Sequence, residues 1–410
     1  MQRRVVVRFA LALAVVLTIG LFEVSIVQDT EDAKESLDMA RSVPHEERFD
    51  KASSSRQPVN PDLHRTRRAS RKCRHRKHVV LAKTHKTGSS SIQNILFRYG
   101  DSYNLTFVLP KSGHYLSYPS PFNRKSVLQE QSAAAKSMEY DILCHHTRFD
   151  YTNIRELMPN DTIYVTVLRD PVTMYESTFT YFRLDRTYNI TGPNPFKTFL
   201  DSPEKFTSKN IKKRGVNHHV RNPMFFDLGW NSDDLQTDDD VWRAIRHLDK
   251  IFHFVVIAEY FHESMVLLRD ILCWDTDDVT AFKVNARSEW SVNDVTSDMV
   301  PKVLAWNRAD AMLYDHFNKT LWKKIHDFRG NIKEEAAFLR LRNKELEDTC
   351  LEEDTKDGQK KEYKVWKPPG VDIKGFVLKE EATNNRMCQG MIRPEIRYTY
   401  YLRKKEIRKP

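Results

Sequence analysis

Short apolar runs alternate with helical periodicity through the middle of this chain, and that alternation narrows its fold more than any other feature. Val79-Val80-Leu81-Ala82 has the pattern of a short buried strand. A turn-like stretch follows, and then Ile92, Ile95, Leu96 and Tyr99 recur at helical spacing. The unit repeats. Tyr140-Asp141-Ile142-Leu143-Cys144 reads as a strand, and Thr162–Leu168, apolar and β-branched throughout, as a stronger one. Asp170-Pro171 supplies an N-cap and a first-turn proline. Val172, Tyr175, Phe179 and Phe182 then mark a helix face. Phe254–Ala258 is a further strand, with a helix through Met265, Leu268, Ile271 and Leu272. Strands alternating with helices predict an α/β fold with a mainly parallel central sheet flanked by helices.

Beyond residue 300 the pattern is helical. Trp306-Asn307-Arg308-Ala309-Asp310 opens a helix that includes Leu313, Tyr314 and Phe317 and reads as packing. Lys333–Thr349 is charged and amphipathic, with Leu339, Leu341 and Leu346 as apolar anchors. Residues 352–375 read as a Lys- and Glu-rich loop. There is no internal repeat and no low-complexity tract.

The N-terminus predicts a location. Arg3 and Arg4 precede an apolar stretch from Val5 to Val27 that only Arg8 and Glu23 interrupt. Its cleanest part, Phe9–Phe22, has the length of a signal-peptide core. Val5–Val7 and Val24–Val27 extend it towards a spanning length if Arg8 snorkels. No small-x-small cleavage site follows directly. The reading is an uncleaved anchor over 9–27, with 1–8 cytoplasmic and the remainder lumenal. Residues 28–76 read as a stem without hydrophobic periodicity, and 77–405 as the folded domain. Four acceptor sequons, at Asn104, Asn160, Asn189 and Asn318, agree with a lumenal body.

Lys+Arg exceed Asp+Glu, 66 to 56, giving a net charge of +10 that suits anionic partners. Much of the excess lies in Arg65, Arg67, Arg68, Arg71, Lys72, Arg74, Arg76 and Lys77, a run with no aromatic residue. That run reads as a solvated linker rather than a nucleic-acid surface, and Arg65-Thr66-Arg67-Arg68 is a candidate processing site. The five cysteines, Cys73, Cys144, Cys273, Cys350 and Cys388, form no CxxC and no zinc spacing, and their odd number leaves at least one out of any intramolecular pairing. Cys144 and Cys273 lie in apolar runs and read as core residues. No metal cluster is expected.

The first strand–loop–helix unit carries a candidate anion site. Lys83-Thr84-His85-Lys86-Thr87-Gly88-Ser89-Ser90-Ser91 ends at a helix N-terminus, where free backbone N–H groups and the helix dipole favour negative charge. Gly88 allows close backbone approach, Thr87 and the three serines add hydroxyl donors, and Lys86 adds a charge. The GxxxxGK[ST] spacing of a nucleotide-triphosphate loop is missing, which disfavours a kinase or an ATPase. The plain alternative is a Ser/Thr-rich helix cap beside an exposed lysine. A second site follows the strongest strand. Arg169 stands where open α/β sheets bind ligands and offers a fork of donors to phosphate. Ser177 lies about two helical turns further on. The alternative is that Arg169 pairs with Asp170 or caps a helix.

Together these segments resemble the nucleotide site of sulfotransferases. Lys86–Ser90 is similar to the loop that holds the 5′-phosphate of 3′-phosphoadenylyl sulfate (PAPS), and Arg169-Asp170-Pro171 with Ser177 to the 3′-phosphate site. Leu81–Ser90, Asn94–Arg98, Cys144-His145-His146-Thr147-Arg148-Phe149, Arg221–Gly229 and Ile257-Ala258-Glu259-Tyr260-Phe261 resemble the galactose 3-O-sulfotransferases, a group that includes the galactosylceramide sulfotransferases. The resemblance covers about 78–345, and the C-terminus more loosely. Ala82 and the basic stem fit the pattern least.

The resemblance implies a P-loop-like sulfotransferase fold in a Golgi type II membrane protein. Its reaction would move a sulfuryl group from PAPS, the co-substrate, to the 3-hydroxyl of a β-galactoside on a glycolipid or glycan. It implies no nucleic-acid partner and is compatible with a homodimer. The acceptor hydroxyl must lose a proton, so a histidine base is expected. His85 and His146 are the first candidates, with His145 in reserve. Lys86 is suited to the charge that builds on the bridging phosphate oxygen. Arg221 and Asn222 are candidates for contact with nucleotide or acceptor. Trp230 and Trp306 read as sugar platforms or as core. The rival readings are a uronosyl 2-O-sulfotransferase of the heparan type and a non-catalytic lumenal carbohydrate-binding protein.

Overall fold

The computed structural model describes residues 73–128, 139–207, 217–284, 287, 292–353, 363–365, 371, 373 and 375–407. The expected anchor at 9–27, the stem up to residue 72 and most of the 352–375 loop lie outside the described residues. Among the described residues no helix is long and apolar enough to cross a membrane.

Four parallel strands form the sheet: β1 (Val79–Ala82), β2 (Ile142–Leu143), β3 (Ile163–Leu168) and β4 (Phe254–Ile257), in the order β2-β1-β3-β4. Each is buried along almost its whole length, as expected for parallel strands covered on both faces. Chain order and sheet order differ, so β1 lies between β2 and β3, and the loop after β1 opens at the centre of the sheet.

The helices supply the cover. α1 (Ser89–Ser102) leaves β1, and α2 (Pro171–Tyr181) leaves β3, with the Asp170 carboxylate accepting from the Thr173 amide and Pro171 in the first turn. A short helix, α3 (Pro223–Asp227), precedes α4 (Asp238–Ile251), and α5 (Phe261–Leu272) follows β4. The C-terminal part is helical as predicted: α6 (Arg308–His326), α7 (Ile332–Cys350), α8 (Arg386–Ile392) and α9 (Glu395–Ile407). On α7, Leu339 and Leu346 are buried but Leu341 is 54% exposed. Leu341 lies two residues from Leu339, about 200° around a helix, and so cannot share its face.

Two disulfides correct the reading of the cysteines. Cys73 bonds Cys273, and Cys350 bonds Cys388, while Cys144 is free and buried. Cys273 is therefore a cross-link rather than a plain core residue. Its bond ties the chain four residues before position 77 to the end of α5. Trp230 packs against the main core and Trp306 is buried in a second cluster with Tyr175, Phe179 and Phe199, so both tryptophans serve packing.

Candidate functional site

The loop between β1 and α1 divides its side chains between two neighbourhoods. Gly88 is the residue before α1 and has a φ of 79°, a left-handed conformation that costs glycine little. No side chain caps this helix, and its first turn contains no acidic residue, so the N-terminus suits an anion electrostatically. Lys86 also has a positive φ, 61°. Its Nζ lies 3.9 Å from the centroid of the Tyr181 ring. Burial, then Arg287 and Arg169, lower its pKa from 10.5 to about 7. Arg169 donates from Nη1 to the Lys86 carbonyl at 3.1 Å, which fixes the end of β3 against the loop. Arg287 is buried and paired with Glu176, whose carboxylate also accepts from the Asn293 amide and side chain at 3.1 and 2.9 Å. Ser177 is buried one residue beyond Glu176 on α2. Lys86 thus lies within the influence of Arg169 and of Arg287, the latter offset by Glu176, and a phosphate or sulfate group beside Lys86 would favour its charged form.

The loop hydroxyls do not all face that anion site. Thr84 donates to the Val167 carbonyl and pairs with Thr87 at 2.8 Å, and Ser89 donates to the Thr84 carbonyl at 2.6 Å. Ser91 bonds the Phe282 carbonyl at 3.2 Å. These groups hold the loop's shape, and Ser90 is the most accessible of the three serines. Lys83 has partners of its own. Its ammonium is buried and donates to Gln93 at 2.6 Å and to Glu395 of α9 at 2.5 Å. Lys83 therefore anchors α9 beneath the loop, its ammonium held by Gln93 and Glu395. Alternation along an extended segment explains this, because neighbouring side chains point to opposite sides.

His85 faces the other neighbourhood. Its backbone N–H donates to Asp227 at 2.6 Å, and its Nδ1 lies 2.9 Å from Asp227 Oδ2. The Tyr118 hydroxyl donates to the same carboxylate at 2.9 Å. A carboxylate only accepts, so Nδ1 carries a proton, and in the neutral ring Nε2 is the nitrogen with the free lone pair. Asp227 is held in turn. Asp310 of α6 accepts from the Met224 and Phe225 amides at 3.0 and 2.9 Å, capping α3, and burial raises its pKa to about 7. Gly229, with a φ of 101°, lets the chain pass Phe149, whose carbonyl oxygen would lie 2.5 Å from any Cβ there.

Around His85 stand neutral rings. His146 stacks on it with centroids 3.9 Å apart, and His219 meets it edge-on at 4.8 Å. Tyr118 and Phe182 complete the contact at 4.9 and 5.6 Å. Burial, then the neighbouring His85, holds both His146 and His219 well below the usual histidine pKa. His145 does not belong here. Its Nε2 pairs with Thr399 at 3.0 Å, its ring packs on Phe97, and burial lowers its pKa to about 3. Consecutive residues leaving a strand point apart, so only His146 reaches His85.

Arg221 and Asn222, expected at the ligand, have packing partners. Arg221 Nε donates to the Trp306 carbonyl at 3.2 Å, and its guanidinium lies over the Trp306 ring. The buried Asn222 donates its amide to Asn307 and accepts from the Asp310 amide. Together they fasten the entry to α3, and so act on Asp227 at a distance. Asp227, His219, Arg287 and Glu176 were not singled out from the sequence. For Asp227 the signal was present in the segment Arg221–Gly229, since a lone acid in an apolar helix turn needs a partner.

Among the described residues, no group of His, Cys, Asp and Glu is arranged to hold a metal ion. The arrangement can bind an anion at one end of the loop and accept a proton at the other. A family model described as Galactose-3-O-sulfotransferase matches residues 2–406. Human galactosylceramide sulfotransferase is 36% identical over 337 residues, covering 80% of this chain and 78% of that protein. Mouse galactose-3-O-sulfotransferase 2 is 33% identical over 79% of this chain and 84% of its own length, and mouse galactose-3-O-sulfotransferase 3 is 35% identical over 81% and 79%. By the extent of that match, this chain belongs to the galactose-3-O-sulfotransferase family.

Proposed function

We propose that this chain transfers a sulfuryl group from PAPS to the 3-hydroxyl of a β-linked galactose on a glycolipid or glycan. The observation that carries the reading is the opposed setting of two adjacent residues. His85 is held by Asp227 with Nε2 available as a base, and Lys86 lies among Arg169 and Arg287. One loop can then accept the acceptor's proton and neutralise the departing phosphate oxygen, which suits in-line transfer. In this reading the first turn of α1 with Gly88 and Ser90 takes the 5′-phosphate. Arg169 and Ser177 serve the 3′-phosphate. The test is an acceptor panel with labelled PAPS that includes β-galactosyl lipids, β-galactosyl glycans and desulfated heparan. Label on the 3-hydroxyl of a galactoside supports the reading, and label on heparan alone overturns it.

We further propose a Golgi-lumenal type II orientation. The apolar segment at 9–27, the two disulfides and the exposed sequons Asn104, Asn160 and Asn189 support it. Asn318 lies within α6 with its Oδ1 buried and is the least suited to carry a glycan. Glycosidase digestion of the full chain from a secretory host should therefore show three mobility steps, and no step at all would overturn the lumenal assignment.

A further inference from the structure

The last helix presents a largely exposed face, at one edge of which the Tyr401 hydroxyl meets Asp101 of α1 at 3.4 Å. Four of the ten large hydrophobic side chains exposed among the described residues, Ile396, Tyr400, Tyr401 and Ile407, lie on α9. Arg397 and Lys404 are exposed beside them. At 100° per residue these six positions fall within about 140° of the helix circumference. The opposite arc is built into the protein. Tyr398, Thr399 and Leu402 are buried, Tyr398 packs on Phe97, and Glu395 bonds Lys83. The acids of α9 are both off the outer face: Glu395 turns to the cradle and Glu406 is buried. Lys404 lies 4.5 Å over the Tyr400 ring, and Arg393 lies 4.5 Å over the Tyr401 ring.

We propose that this face of α9 lies on a lipid bilayer surface. A stripe of aliphatic tips, tyrosines and cations, with no acid of its own and with Asp101 at its edge paired to Lys405, has the chemistry of an interfacial helix. Isoleucine enters the acyl boundary, tyrosine rests at headgroup level, and Arg and Lys meet lipid phosphates. The same helix holds the cradle loop through Glu395, so docking would present the site to an acceptor borne on that surface. This last step rests on the proposed function with a lipid-borne acceptor; the docking itself does not.

The test uses the full chain in proteoliposomes. Tyr400→Cys and, on α7, Leu341→Cys are each labelled with an environment-sensitive fluorophore, the native cysteines being paired or buried. Headgroup-nitroxide lipids should quench the label at 400 at least about threefold more than that at 341. Equal quenching overturns docking, as does a spectral shift at 400 that follows protein concentration without lipid, which would mark a second copy as the occupant. The double variant Ile396→Asp with Ile407→Asp should raise KM for a bilayer-borne β-galactosyl lipid about tenfold and leave a water-soluble β-galactoside unaffected. Equal loss on both acceptors would mean that α9 serves the site only through Glu395 and would overturn the proposal. A wild-type chain inactive on both acceptors but quenched at 400 would defeat the proposed function and leave docking standing.

Discussion

The two ends of the β1–α1 loop solve opposite problems with neighbouring residues. At the anion end, burial and then the like charges of Arg287 and Arg169 lower the pKa of Lys86 to about 7. At the histidine end, His85 carries a carboxylate partner, while His146 and His219 are kept uncharged by burial. At one end Glu176 offsets Arg287, and a ligand would add further negative charge beside Lys86. The other already holds its counter-charge and is surrounded by rings that tolerate a proton on His85 without a second cation beside it. A cradle needs its ligand to become electrostatically settled, whereas a base must be oriented before the acceptor arrives.

Substitutions can break that division. His85→Ala should lower turnover by about 10²–10⁴-fold while leaving donor affinity near the native value. Asp227→Asn, which removes the carboxylate charge and leaves one acceptor oxygen for the three donors from His85 and Tyr118, should approach the same loss. Calorimetric donor titrations beside single-turnover rates read both, and a matching loss of donor affinity in either variant would merge the two ends into one. Lys86→Met should cost about 10²–10³-fold in turnover and weaken donor binding as well. Normal donor affinity in that variant would remove Lys86 from the anion site.

The pH dependence gives a smaller effect with a definite sign. With Lys86 near pKa 7 in the ligand-free protein, it is mostly neutral at pH 8. A bound anion favours the charged form, so donor binding at pH 8 should take up a proton and at pH 5.5 should not. Donor affinity should then fall as pH rises above 7, by at most about tenfold per unit. Titrations in buffers of different ionisation enthalpy measure the uptake, and proton release at pH 8 would contradict it. Glu395→Gln should have the least effect on turnover, under about tenfold, and a large one on stability, about 3–5 kcal/mol, because it strands the buried Lys83 ammonium. Chemical denaturation and initial rates separate these outcomes. A stable variant with weakened donor binding would return Lys83 to the anion site.

Much of the architecture was readable from periodicity. Strand runs such as Ile163–Leu168, and the N-cap and proline of α2, are local signals, and the structure has them at those residues. The loop before α1 was readable for the same reason, since a glycine and small hydroxyl residues before an apolar helix are a contiguous pattern. Side-chain placement within that loop is not encoded locally. Lys83 and Lys86 are chemically alike and three residues apart, and only the arrival of Glu395 from α9, 312 residues later, distinguishes them.

Sequence alone therefore determined the alternating α/β order and the position of the β1–α1 loop, and it put forward the anion cradle and the histidine bases that the proposed function uses. Those properties depend on residue type and short spacing. Tertiary structure decided which histidine meets Asp227, that His145 turns to Thr399, and that Asn222 and Asp310 hold the helix that carries the carboxylate. It also left one face of α9 open. Each of these depends on contacts between segments far apart in the chain, and no local pattern of side chains encodes which distant partner will fill a given buried valence.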